Sequence, residues 1–208
     1  NLKRITLSPL ITSLDFTFHL CSGLKEIDLP SGITEIGHET FTGCESLEQI
    51  TLPPSLVIIG DGAFDRCKSL KEITIPSSVN SIGKYAFANC KSLKQITNHS
   101  TITKISKLLF DGCSSLTEIP IPSSVTQINE CSFNDCTSLV QITIPSSVTK
   151  IEEKTFNNCS SLTQVTIPSS VKKIGKEAFG NCSSLAQVTI PSSVTDILEK
   201  AFVNCSTL

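Results

Sequence analysis

The chain contains no methionine, no tryptophan and only one tyrosine among its 208 residues. This scarcity argues against an exposed aromatic surface of the kind that anchors protein partners or stacks against sugars. The formal net charge of -2 at pH 7 provides no broad basic field, so nucleic acid is not an expected partner. No apolar run approaches the roughly 18 residues that would span a bilayer, and direct membrane insertion is not expected.

The sequence also lacks the residue patterns that carry catalysis or metal binding. The same turn serine recurs in five units, which is typical of a structural role: Ser77, Ser123, Ser146, Ser169 and Ser192. There is no Gly-rich phosphate loop and no Cys-x-x-Cys pair, and the three histidines follow no ligand spacing: His19, His38 and His99. We therefore predict a protein that is not an enzyme and that carries no metal and no cofactor.

What the sequence has in abundance is repetition with a period of 23 residues. Nine of the ten cysteines follow this period, from Cys21 to Cys205, and a phenylalanine stands three residues before each of them. A fixed period of this length is the signature of a solenoid. Equivalent residues of stacked coils lie about 5 Å apart, which a disulfide would accept, but the number of periodic cysteines is odd. We interpret the series as a ladder of buried free thiols.

The first half of each unit predicts a short β-strand. In one unit, Val165 and Ile167 alternate with Thr166, and a period of two that is rich in β-branched residues is typical of a strand. Pro168 then ends the strand, because proline cannot donate to the hydrogen-bond ladder.

The second half of the unit predicts an extended segment followed by a tight turn. Val171 and Ile174 form an apolar pair that we expect to run extended on the far side of the coil. Residues 176–182 hold Phe179 and Cys182, whose spacing fits a single helical or 3₁₀ turn. The fold class expected from these segments is an α/β repeat solenoid.

Stacking must hold the array together, because one unit is too small to fold alone. Burial of a large apolar side chain stabilises by about 1.5–3 kcal/mol, and ordering one residue costs about 1–2 kcal/mol. These terms are comparable within a unit, so neighbouring units supply the difference. Counting from Leu2 gives about nine repeats, and residues 1–208 are predicted to form a single solenoid. Because Asn1 starts almost inside a repeat, we expect a segment of a longer protein.

The repeated unit also resembles a known family. Ile-Pro, Val-x-x-Ile-Gly and Ala-Phe-x-x-Cys recur in this order, and they resemble the BspA-like leucine-rich repeats, a class also found in treponemal and parasite proteins. The resemblance implies a right-handed leucine-rich-repeat superhelix with a parallel β-sheet on one face and short helical or 3₁₀ turns on the other. It also implies display at the cell surface, where such proteins attach to host extracellular proteins or to other cells.

The outward side chains of the strands form the expected binding surface. Alternation directs one residue in two away from the core, and the charged residues at these positions and at the position that flanks them cluster in the N-terminal half. The candidate protein-binding residues are Lys25, Glu26, Asp28, Glu48, Lys71, Glu72 and Lys94. The C-terminal half presents a nearly neutral ladder of glutamine and threonine instead. A purely solvating role is the alternative for both halves.

Two irregularities in the repeat are further candidates. Asn98 and His99 stand where other units have an inward aliphatic residue and a proline, which predicts a bulged turn, a bend or a contact point. Cys131 lies in a mostly polar column, and its thiol is expected to be more exposed than the periodic cysteines.

These observations predict a non-enzymatic protein–protein interaction module, part of a BspA-like surface protein or adhesin that binds host or extracellular proteins. The expected partner is a host extracellular matrix protein. The protein itself is expected at the cell surface or outside the cell. The alternative is a cytoplasmic scaffold or regulatory leucine-rich-repeat protein, because unpaired periodic cysteines suit a reducing compartment. The oligomeric state is left open.

Overall fold

The computed structural model describes residues 4–208, which form a β-solenoid of about eight turns with parallel strands and repeats of about 23 residues. The predicted repeat architecture is therefore confirmed. Leu24 and Leu208 are separated by eight periods of 23 residues. Leu2, which opens the first unit in the sequence, lies outside the described residues.

The strands stack into two columns, and the chain passes through both columns in each turn. The first strand column contains β1 (Arg4–Thr6), β3 (Glu26–Asp28), β6 (Glu72–Ile75), β8 (Gln95–Asn98), β11 (Gln141–Thr143), β13 (Gln164–Thr166) and β15 (Gln187–Thr189). The second strand column contains β2 (Ser13–Leu14), β4 (Glu35–Ile36), β5 (Ile58–Ile59), β7 (Ser81–Ile82), β9 (Lys104–Ile105), β10 (Gln127–Ile128), β12 (Lys150–Ile151), β14 (Lys173–Ile174) and β16 (Asp196–Ile197). Paired strands are parallel, and equivalent residues of successive units are partners.

Side-chain alternation and serine hydrogen bonds explain the first column and the corner that follows it. In β13, Val165 is buried between exposed Gln164 and Thr166. After the proline that ends this strand, Ser170 donates from Oγ to the carbonyl oxygen of Val148 in the preceding coil at 2.6 Å. The same bond recurs at the equivalent serines of other coils. These serines therefore connect one coil to the next.

The third side of each coil is a run of tight turns, which we call the turn edge. No residue between positions 4 and 208 is helical, so the prediction of a helical or 3₁₀ turn at residues 176–182 is wrong. Glu177 and Asn181 have φ angles of 51° and 59°, which a right-handed helix excludes. The cause is hydrogen bonding between coils, because Phe179 N–H donates to the carbonyl oxygen of Ala201 at 2.8 Å. Alternate N–H groups of the turn thus bond the next coil.

One continuous apolar core runs along the solenoid. Phenylalanine rings stack behind the turn edge from Phe18 to Phe202, with neighbouring centroids 5.3–5.8 Å apart. The inward positions predicted for one unit are all buried: Val165, Ile167, Val171, Ile174, Ala178, Phe179, Cys182 and Leu185. The same columns of side chains therefore build the core in successive turns.

The periodic cysteines form a ladder of buried thiols beside the phenylalanines. All ten cysteines lie within residues 4–208 and are free, and those of the series from Cys44 to Cys182 are buried. Each buried thiol donates to the carbonyl oxygen of the phenylalanine 26 residues earlier, as Cys113 does to Phe87 at 3.1 Å. Removal from water raises the pKa of Cys44 and of Cys182 to about 12. These thiols are therefore protonated packing groups rather than nucleophiles.

Candidate protein-binding surface

The first strand column presents the predicted surface residues outward. Ile27 is buried between Glu26 and Asp28 in β3, and Ile73 is buried behind Glu72 in β6. All seven predicted residues of the strand face are exposed: Lys25, Glu26, Asp28, Glu48, Lys71, Glu72 and Lys94. They lie on one face of the solenoid, in four successive coils.

An ion pair connects two of these coils across the strand face. The Lys71 ammonium lies 2.9 Å from Oε2 of Glu48. Its hydrogen bond and its positive charge lower the pKa of the Glu48 carboxyl below the ordinary value. The next coil presents Lys94, whose backbone N–H donates to the carbonyl oxygen of Lys71 at 2.9 Å. If each coil is counted as one row, a row that carries a carboxylate is therefore followed by two rows that carry ammonium groups.

A second charged column, which the sequence reasoning missed, runs beside the first. Its members are Glu45, Lys68 and Lys91, each three residues before Glu48, Lys71 or Lys94. Lys68 Nζ lies 2.7 Å from Oε1 of Glu45. The signal was present in the sequence as Glu-Ser-Leu-Glu followed by two copies of Lys-Ser-Leu-Lys. We call these residues the charged patch: Glu45, Glu48, Lys68, Lys71, Lys91 and Lys94.

The last row of the charged patch is not matched by carboxylates. Lys91 and Lys94 are exposed, and within residues 4–208 neither makes an ion pair. The next coil offers Ser114 and Thr117 at the equivalent positions, and Thr117 N–H donates to the carbonyl oxygen of Lys94 at 3.4 Å. Two neighbouring ammonium groups therefore face solvent at the C-terminal boundary of the patch.

The irregular turn at Asn98 is closed by a local hydrogen-bond pair. Oδ1 of Asn98 accepts from the backbone N–H of Ser100 at 3.1 Å and from its hydroxyl at 2.5 Å. Asn98 is half-buried and His99 is exposed. The asparagine side chain thus shapes the corner that a proline shapes in other units.

Cys131 differs from the periodic cysteines in both position and exposure. It lies on the turn edge with a φ of 55° and is half-buried, whereas the periodic thiols of the interior coils are buried. Its partial burial raises the pKa of this thiol, and the positive charges of Lys107 and Lys154 oppose that effect. Cys131 is therefore accessible but protonated at neutral pH.

Two of the three histidines meet near the N-terminus, although their sequence spacing gave no sign of it. His19 Nδ1 lies 3.2 Å from Oε2 of Glu39, and His38 Nε2 lies 3.6 Å from Oε1 of the same carboxyl. The Phe16 ring packs edge-on against His38 with centroids 4.8 Å apart. In the described range of the chain, no three His, Cys, Asp or Glu side chains are grouped so that they could hold a metal ion. The cluster is a contact between coils.

Solved structures of bacterial leucine-rich repeat proteins share this fold. A leucine-rich repeat protein of T. pallidum is 28% identical over 88% of this chain and 78% of its own, with a TM-score of 0.71. One from Bacteroides ovatus is 26% identical over 99% of this chain and 77% of its own, with a TM-score of 0.54. A leucine-rich cell surface protein of Faecalibacterium prausnitzii is 27% identical over 100% of this chain and 65% of its own, with a TM-score of 0.58.

No curated protein matches the chain. The model of a family described as the BspA type leucine-rich repeat region, in six copies, matches residues 1–117 and 103–208. These matches overlap and together span the whole sequence, in agreement with the resemblance carried by the repeated motifs. The chain belongs to the BspA-type leucine-rich repeat family.

Proposed function

We propose that the chain is a non-enzymatic protein–protein interaction module of a cell-surface adhesin, and that it binds a host extracellular matrix protein through its strand face. The observation that carries the proposal is the charged patch, whose last row leaves Lys91 and Lys94 without an ion pair in residues 4–208. A partner surface with exposed carboxylates would pair with these two lysines. The partner segment is therefore acidic.

The other residues of the strand face restrict where that segment binds. Glu72 is exposed beside the patch, and its negative charge would repel a partner's carboxylates. The acidic segment is thus directed to the end of the patch that holds Lys91 and Lys94, with Lys25, Glu48 and Lys71 as the surrounding contacts. Asn98, His99 and Cys131 are proposed as secondary contacts.

The proposed location follows from a relative. The F. prausnitzii protein is named a leucine-rich cell surface protein. Nothing in residues 4–208 forms a helix of the length and apolarity that a membrane crossing requires. Surface biotinylation of cells that produce the native protein tests the location directly.

Charge reversal tests the binding site. Lys91→Glu with Lys94→Glu should weaken binding to immobilised matrix proteins by at least about tenfold, and raised salt should weaken the parent in the same direction. Both side chains are exposed, so circular dichroism should be unchanged.

The matched control is Ser160→Glu with Thr163→Glu, which adds negative charge at the equivalent positions of the neutral half. It should leave binding within about twofold of the parent, because long-range effects of exposed charges are screened. Unchanged affinity of the lysine variant, or an equal loss in the control, would rule out the charged patch as the site.

A cytoplasmic scaffold is the second candidate, and the free thiols favour it. All ten cysteines of residues 4–208 are free, which is the usual state in a reducing compartment. Thiol counting on protein taken from its own cell, native and denatured, distinguishes the candidates when it is combined with surface biotinylation. A fully reduced protein that escapes biotinylation would favour the scaffold.

A further inference from the structure

The first strand column is interrupted at residues 118–121, in addition to an interruption at residues 49–52. β8 and β11 belong to separate sheets, and the coil between them contributes no strand. Throughout residues 4–208, no backbone hydrogen bond joins residues 118–121 to a neighbouring coil. Pro120 removes one donor from the ladder at this gap, because it has no N–H group and stands where Thr97 and Thr143 occupy the adjoining strands.

The second strand column, which is also unpaired between β7 and β9, is interrupted at the same interface. β10 and β12 are not paired, and neither Thr149 nor Glu152 donates its N–H to the preceding coil. One coil further on, the equivalent bonds are intact. Lys172 N–H donates to the carbonyl oxygen of Thr149 at 2.8 Å, and Gly175 N–H donates to that of Ile151 at 2.7 Å. Both ladders are therefore broken between residues 116–138 and residues 139–161.

Glu152 stands at the second break, at the position that Gly175 occupies in the next coil. A Cβ placed on Gly175 would lie 2.5 Å from the carbonyl carbon of Glu152, so glycine permits the close approach of paired coils. Glu152 carries such a Cβ itself. A Cβ alone does not prevent the bond, because Asn129 N–H still reaches the carbonyl oxygen of Ile105 at 3.0 Å. The bond from Glu152 N–H is missing at the interface where the strands of the first column are unpaired as well.

The turn edge remains fully connected across the same interface. Phe133 N–H donates to the carbonyl oxygen of Thr155 at 3.0 Å, and Asp135 N–H donates to the backbone carbonyl oxygen of Asn157 at 2.9 Å. Asn158 Nδ2 adds a side-chain bond to Oδ1 of Asp135 at 2.6 Å. The two coils are therefore joined along one side and open along the other two.

The open sides retain few bonds, and the first of them carries a cleft similar in size to the one over the paired strands β13 and β15. Val140 N–H donates to the carbonyl oxygen of Thr117 at 3.1 Å, and the Ser147 hydroxyl donates to the carbonyl oxygen of Val125 at 2.5 Å. A cleft of about 510 Å³ lies over the gap in the first column, and its lining includes Gln95, Thr97, Glu118, Pro120, Gln141 and Thr143. Buried aliphatic residues still meet across the interface, as Val125 and Val148 are both buried.

We propose that the interface between residues 116–138 and residues 139–161 is a hinge, and that residues 4–138 and 139–208 bend about the turn edge. Bending opens or closes the cleft, while the continuous apolar core limits the angle. The hinge separates the charged patch from the neutral glutamine and threonine ladder, so the two halves of the strand face change their relative orientation when it moves. A partner that contacts both halves would select one bend angle.

Hydrogen–deuterium exchange of the whole chain tests the hinge. The segment 139–152 should exchange at least about tenfold faster than its equivalent, 162–175, because several of its inter-coil bonds are missing, those of Thr149 and Glu152 among them. Pro120→Thr with Glu152→Gly restores the N–H donor and the close approach, and it should bring the two segments to within about threefold of each other.

The matched control creates the same two defects one coil further on. Thr143→Pro with Gly175→Glu should accelerate exchange in 162–175 while residues 24–82 keep their parent rates. Equal exchange of 139–152 and 162–175 in the parent chain would overturn the proposal, as would a Pro120→Thr, Glu152→Gly variant that folds and exchanges as the parent does. If that variant does not fold, the parent comparison alone decides.

Discussion

Replacement of Phe64 by alanine should lower the free energy of unfolding by about 3–5 kcal/mol. The Phe64 ring is fully buried and stacks at 5.3 Å on both Phe41 and Phe87. Truncation removes the ring and two aromatic contacts, each of which contributes about 0.5–1.5 kcal/mol beyond burial alone. The cavity has little freedom to collapse, because Phe41 N–H and Phe64 N–H are fixed to the next coils by 2.8 Å bonds.

Phe202 provides the matched control at the end of the stack. Its ring is half-buried and has one ring neighbour, Phe179, at 5.3 Å. Phe202→Ala should therefore cost about half as much as Phe64→Ala, roughly 1.5–2.5 kcal/mol. Urea unfolding followed by circular dichroism measures both, with the m-value checked because repeat arrays can unfold in stages. Equal losses at the two positions, or a loss below about 1.5 kcal/mol at Phe64, would refute the stacking argument.

Three other perturbations probe coil contact, charge burial and thiol access. Gly83→Ala should lower the free energy of unfolding by about 1–3 kcal/mol, because its Cβ would lie 2.4 Å from a backbone nitrogen of the preceding coil. Gly32→Ala is the control: the nearest atom to its Cβ would lie at 3.8 Å, so the free energy of unfolding should change by less than about 0.5 kcal/mol. Asp65→Asn should stabilise the protein at pH 7, because burial raises the pKa of that carboxyl above 3.8. A raised pKa contributes stability below 3.8 that is lost as the pH rises, so urea titrations should show the variant's advantage disappearing in acid. Maleimide at pH 8 should label Cys131 in the native protein and Cys90 only after denaturation, and mass spectrometry showing early labelling of Cys90 would contradict its burial.

Features that depend on a residue's own side chain could be predicted from the sequence. Phe179 and Cys182 are buried where their period places them, and β13 ends before Pro168. Alternation predicted the exposure of Glu26, Asp28 and Glu72, whereas Lys25, Glu48, Lys71 and Lys94 were chosen because they flank these positions. Lys91 was overlooked because it stands three residues before Lys94, outside both the alternating positions and the positions that flank them.

Features that depend on bonds between coils could not be predicted in this way. The spacing within 176–182 is compatible with a helical turn, and only the bond from Phe179 to the next coil explains why Glu177 is left-handed. Pro120 was visible in the sequence as an irregularity, but its place at the same interface as the break at Thr149 and Glu152 follows only from the stacking of coils. Propensity is a property of a segment, whereas these outcomes belong to pairs of segments.

The first of the two left-handed positions in each turn has an evolutionary consequence. This position has a φ between 47° and 64° in successive coils, at Phe16, Glu39, Gly62, Tyr85, Leu108, Cys131, Lys154, Glu177 and Lys200. An aromatic, an aliphatic, an acid, a base and a thiol thus share one backbone conformation, which residues other than glycine seldom adopt. Mutation among them alters surface chemistry while the path of the chain stays the same. Each duplicated coil therefore adds a site at which the protein can diversify without rebuilding its frame.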